Sequence, residues 1–364
     1  MLFSEDLATE LILSVFYNCR SVSDALALAS TCHRFHRIFA SRKLEILEHA
    51  AEKQYGPLHD AIQLLTHNES QPAHLPRSVP LSLALLQQLV HVGRIAARWT
   101  AIYPLKKWKS NYEDRRLLTQ PERHRFRRAL YRLWLFDRAF HTPAHPREDR
   151  LLPRTVADRA DLLHNWPTTH LAEIADVQSV LRDVIHTSIC PSNGAIARKY
   201  RNRFPDADRG NLLFNIHLNY PEAPARLRET SPSEFHRQQN DASLFYTHIE
   251  HTPAAIRKFQ LSKYNPTTYH EPGAEGWGDE VLHYYVVEDM LKLDPEALLW
   301  LKDHAPLKRQ VETYVKGLGD WFENNGETFA QTMEWVLEQR GEEVAEMMEG
   351  LACGELGVVA EDEE

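Results

Sequence analysis

The chain is poor in the residues that build compact chemical sites. Its 364 residues include 4 cysteines, Cys19, Cys32, Cys190 and Cys353, and no two stand at the spacing of a zinc or redox pair. That excludes a disulfide scaffold and points to free, mostly packed thiols in a reducing compartment, the cytoplasm or the nucleus. Glycine is scarce at 14, and none of it forms a Walker or Rossmann phosphate loop. Neither a Gly-x-Ser-x-Gly elbow nor a His-Glu-x-x-His pair occurs. Long apolar runs are missing too. The stretch from Leu81 to Val92 is broken by Gln and His and is too short to span a bilayer, so no membrane is expected as a partner. Glu5, Asp6 and Glu10 argue against a signal peptide. On these grounds no catalytic residue, cofactor or metal is assigned, and a non-catalytic role is expected.

The composition that remains, 43% hydrophobic and 26% charged, is that of a globular protein. Few glycines and many Leu, Ala, Arg and Glu favour a mostly α fold. The net charge of −9 is confined to one stretch: residues 341–364 hold nine carboxylates and no Lys or Arg, and the rest is neutral. That stretch reads as a helix with a solvated acidic face running into an acidic tail over 352–364, mobile from Val358 onward.

Apolar spacing marks the helices. Leu7, Leu11 and Val15 recur at i, i+4 with Ile12 and Phe16 alongside. Ser21 with Asp24 resembles a capping box, opening a helix through Val22, Ala25, Leu26 and Ala29. Phe35, Ile38 and Phe39 mark a third short helix. Further helices are expected over 42–54, 59–67 and 81–99. A proline-bearing linker at 68–80 carries Pro72, Pro76 and Pro80. Thr119 and Glu122 form a capping box for a helix over 119–140, whose Phe126, Ala129, Leu133, Phe136 and Phe140 share a face. The stretch 141–154 reads as a loop, 169–187 as a helix, and 191–278 shows no sustained period. Helices return from Asp294-Pro295 onward, the last spanning Phe329 to Leu351. No internal repeat occurs.

The pattern Leu-x-x-Glu-Leu-Ile, a short turn, then Leu-x-Leu-Ala-x-x-Cys-x-x-Phe-x-x-Ile over residues 2–41 resembles an F-box, in the flavour of ascomycete fungal F-box proteins. The family usually has proline after the first leucine; here that position is Ala8, which forgoes a preorganised helix start. The resemblance implies a three-helix module that docks to the Skp adaptor and, through it, to a cullin–RING ligase core. The rest of the chain would then recruit a protein target for ubiquitin transfer. The docking positions it implies are Leu7, Leu11, Ile12, Val15, Phe16, Leu26, Leu28 and Phe35, some of which must instead hold the helices together. Organisation follows: an F-box-like module at 2–41, a helical connector at 42–118, an irregular helical body without repeats at 119–351 and the acidic tail. Two other readings stay open. One is a non-ubiquitin F-box subunit acting as a structural or chromatin-associated interaction protein. The other is an enzyme with its site in 191–278.

Other features point less far. Ten cations fall between Lys106 and Arg132, and Arg125, Arg128 and Arg132 share one side of a helix. They read as a solvated or internally paired face, with partner binding the alternative; nucleic acid is not expected. Asp137 falls in the apolar arc of the same helix and requires a buried partner. Among 20 histidines, the pairs His33/His36, His141/His145 and His248/His251 have spacing a metal could use, but no Cys or carboxylate joins them. Gly273 to Gly278 reads as a turn around Trp277.

Overall fold

The computed structural model describes residues 7–77, 79–191, 276–277, 281–305, 308–322 and 325–360. The protein is mostly helical, with fourteen α-helices among the described residues. They are α1 (Thr9–Tyr17), α2 (Val22–Ala29), α3 (His33–Ser41), α4 (Lys43–Tyr55), α5 (Leu58–Thr66), α6 (Leu83–Lys107), α7 (Gln120–Phe140), α8 (Pro153–His164), α9 (Thr168–Val184), α10 (His283–Met290), α11 (Pro295–His304), α12 (Lys308–Lys316), α13 (Phe329–Arg340) and α14 (Val344–Cys353). An antiparallel pair, Gly276–Trp277 with Val281–Leu282, is the β-structure among the described residues. Most of the 191–278 stretch, with His248, His251 and the turn before Trp277, lies outside them.

The chain divides into two compact units. The first takes residues 1–140, 152–180 and 329–364. Within it α4 packs on α6, α5 on α6 and α7, α6 on α7, and α8 on α13. α7 is buried on nearly every side, and its Phe126, Tyr131 and Phe136 are fully enclosed with Trp99 and Tyr103 of α6. Tyr103 meets Phe126 edge-on at 5.3 Å, and Phe136 meets Phe329 of α13 at 5.4 Å. The expected boundary between 118 and 119 therefore runs through a single core. α5 and α6 both pack against α7 across it.

The second unit takes residues 141–151 and 181–328. Among its described residues, the core gathers Val286, Leu298, Leu301, Val311 and Phe322. The buried Lys292 ammonium donates to the Phe322 carbonyl and lies 4.1 Å from that ring's centre. Arg150 donates to the carbonyls of Gly326 and Glu327 at 3.1 and 2.8 Å.

Local signals account for several helix starts. Thr119 and Glu122 close the expected capping box: Glu122 Oε2 accepts from the Thr119 N–H at 2.6 Å, and Thr119 Oγ1 from the Glu122 N–H at 3.4 Å. Asp294 caps α11 by accepting from the Ala297 N–H at 2.7 Å, with Pro295 in the first turn. Two expectations are corrected. Within the stretch 141–154, expected as a loop, Pro153 opens a helix, α8. The single helix expected from 329 to 351 is two, broken where Gly341 takes φ 73°. The linker at 68–80 is pinned: Arg77 donates to the carbonyls of Thr66, Asn68 and Gln71, and Gln63 donates to Ala73 at 3.1 Å.

Candidate docking surface

The surface is built on α1, α2 and α3. Ala8 turns the chain into α1 with φ −59° and ψ 145°, without a side-chain cap. Ser21 caps α2 by accepting from the Asp24 N–H at 3.0 Å, and the Cys32 sulfur caps α3 by accepting from the Phe35 N–H at 3.5 Å. Arg34 of α3 donates to the Leu7 carbonyl, tying the entry of α1 to α3.

The eight apolar positions separate into three groups. Ile12 and Phe16 are 1% and 0% exposed. Phe16 meets Phe35 at 6.1 Å and Phe39 at 5.8 Å, over the buried Ala25 and Ala29. These two are struts of the module's interior, among the positions that hold the helices together. Leu28 and Phe35 are half-buried. Leu7, Leu11, Val15 and Leu26 are 38%, 55%, 51% and 47% exposed. The first three lie in one row at i, i+4, beside a polar row of Glu10, Ser14 and Asn18. Leu44 of α4, 40% exposed, is a further apolar position that sequence reasoning missed. It escaped because the expectation for 42–118 is a connector, and Leu44 sits in the first turn of α4, ahead of the buried Leu47 and Ala51 on that helix.

The module is joined to α4. The Val22 N–H donates to Gln54 Oε1 at 3.0 Å, Lys53 Nζ to the Tyr17 carbonyl at 2.5 Å, and Tyr17 Oη to Glu45 Oε1 at 2.7 Å. The boundary expected at 41/42 is thus crossed by side-chain bonds and by α1 and α2 packing on α4.

The basic helix is engaged internally at Arg125, Arg128 and Arg132. Arg125 donates to the carbonyls of Val358 and Ala360 at 2.9 and 2.8 Å. Arg128 grips the buried Glu173 with two donors. Arg132 donates to the buried Asp60 at 2.7 Å, contacts His170 Nδ1 at 2.7 Å and lies over the Trp166 ring at 5.3 Å. Arg127 donates to the carbonyls of Gly56 and Gln54. Burial, followed by the Arg128 and Arg132 charges, pushes His170 down to about 4, so its ring is neutral and accepts from Arg132. Burial alone would raise the Glu122 carboxyl, but donors from Arg116 and Thr119 outweigh it and hold that group at about 2.

Asp137 is buried at 4% exposure, as its place in the apolar arc requires. His33 and His36 are exposed. His141 Nε2 accepts from the Thr328 N–H at 3.2 Å, and His145 Nδ1 lies 3.2 Å from Thr142 Oγ1. Among the described residues, no group of three His, Cys, Asp or Glu is arranged to hold a metal ion, and no helix is long and apolar enough to cross a membrane. All four cysteines are free thiols, and burial pushes that of Cys190 far up.

No protein-family model, no curated protein sequence and no solved structure matches the chain.

Proposed function

We propose that the protein is the substrate-receptor subunit of an SCF-type ubiquitin ligase, working in the cytoplasm or nucleus as a non-catalytic adaptor. Its α1–α3 module would dock to the Skp adaptor, and the remaining chain would recruit a protein target. The observation that carries this reading is the exposed row Leu7, Leu11 and Val15, with Leu26, over an interior already closed by Ile12, Phe16 and Phe39. A helix whose inner face is satisfied and whose outer face still presents leucines has apolar area to bury against another chain. Each such side chain contributes about 1.5–3 kcal/mol when fully removed from water.

The test is co-purification of the full chain with a fungal Skp adaptor and cullin. Leu11→Asp with Val15→Asp changes the outer row only, so the thermal transition should stay within a few degrees while adaptor binding is lost. Retained binding in the folded double variant refutes the docking assignment. Adaptor recovered without cullin would replace the ligase role with that of a structural subunit.

A further inference from the structure

Residues 355–360 follow α14 in turns and bends, and side chains of other helices grip their backbone. The Val358 N–H donates to Asp176 Oδ2 at 3.1 Å, and the carbonyls of Val358 and Ala360 accept from Arg125. Asp176, itself 3% exposed, is set by Tyr103 Oη at 2.6 Å and Lys107 Nζ at 2.8 Å. The Val358 side chain is 0% exposed. Gly357 takes φ 99°, and a Cβ there would come within 2.8 Å of Asp176 Oδ2. Val358 to Ala360 are thus held, where a mobile tail was expected from Val358 onward; residues 361–364 lie outside the described residues.

The chemistry of the grip is that of peptide recognition. A carboxylate and a guanidinium read N–H and C=O groups that any chain carries, a socket takes one branched aliphatic side chain, and close approach demands glycine before it. We propose that the groove lined by Tyr103, Lys107, Arg125 and Asp176 is a peptide-binding site, occupied in cis by residues 355–360. The partner it fits is a protein segment in which Gly precedes Val or Ile and which displaces the cis segment. The proposal stands independently of the ligase reading.

The experiment uses the full chain and a fluorescein-labelled peptide of residues 354–364, read by fluorescence polarisation. Gly357→Val expels the cis segment, so the peptide should bind that variant at least tenfold more tightly than it binds the native chain. There the tethered segment competes at an effective concentration of order millimolar. A peptide carrying Val358→Asp, and a chain carrying Arg125→Ala with Gly357→Val, should each lose at least tenfold of that affinity. Equal binding to the native and Gly357→Val chains, or none to the latter, overturns the proposal. So does loss of the folded state in Gly357→Val by circular dichroism, which would make the segment part of the fold.

Discussion

Arg132 shows how a charge becomes structural. Its guanidinium bonds Asp60, which is 4% exposed, and the carboxylate's second oxygen lies 3.3 Å from the exposed His59 ring. Two such groups are costly to bury and are tolerated because each neutralises the other. Removing one partner leaves the other uncompensated. Arg132→Met should therefore destabilise the protein by about 3–5 kcal/mol, read from the urea midpoint, whereas Asp60→Leu with Arg132→Met should recover much of that loss. Losses that simply add would show that the pair does not act as a unit. From sequence, Arg132 was visible as one cation of a stripe. Asp60 stands 72 residues away, and no local pattern joins the two.

At the scale of elements, amphipathic spacing and caps placed α1 to α5, α7, α9 and α11 close to where they lie, because those signals act within a turn or two. What failed was also local in cause. Pro153 reads as a loop marker from its neighbouring prolines, yet it occupies the first turn of α8, where proline costs nothing. Contact between elements sets tighter limits. On α6, a Cβ at Gly93 would fall 2.4 Å from the Tyr55 ring of α4, and that ring is 6% exposed. Alanine is the better helix former by about 1 kcal/mol. Overpacking against an enclosed ring costs about 1–3 kcal/mol, and the clash reaches Tyr55 Cβ, which cannot swing aside. Gly93→Ala should lower the melting temperature by several degrees; an increase would mean that α4 and α6 part easily.

Across the whole molecule, acid should weaken the fold in two steps. His170 is held at about 4, below its ordinary value near 6.5, so the unfolded chain binds more protons between those values. Stability is full above about pH 6.5 and falls as pH drops towards 4. Glu122, held at about 2, adds a second loss between about 4.5 and 2. Urea midpoints measured from pH 7 to 3 should fall steadily, and His170→Gln should flatten the upper part of that slope. An unchanged slope in that variant would remove His170 as its cause. By itself the sequence determined the helical class, most helix positions, the capping boxes and the apolar row Leu7, Leu11 and Val15, because period and capping are properties of neighbouring residues. Only the tertiary structure decided which of the eight apolar positions face outward, that the arginines of α7 are internal struts, and that residues 355–360 sit in a polar groove. Arg125 and Val358 are 233 residues apart, and the burial that makes their bond strong exists only once the helices between them have packed.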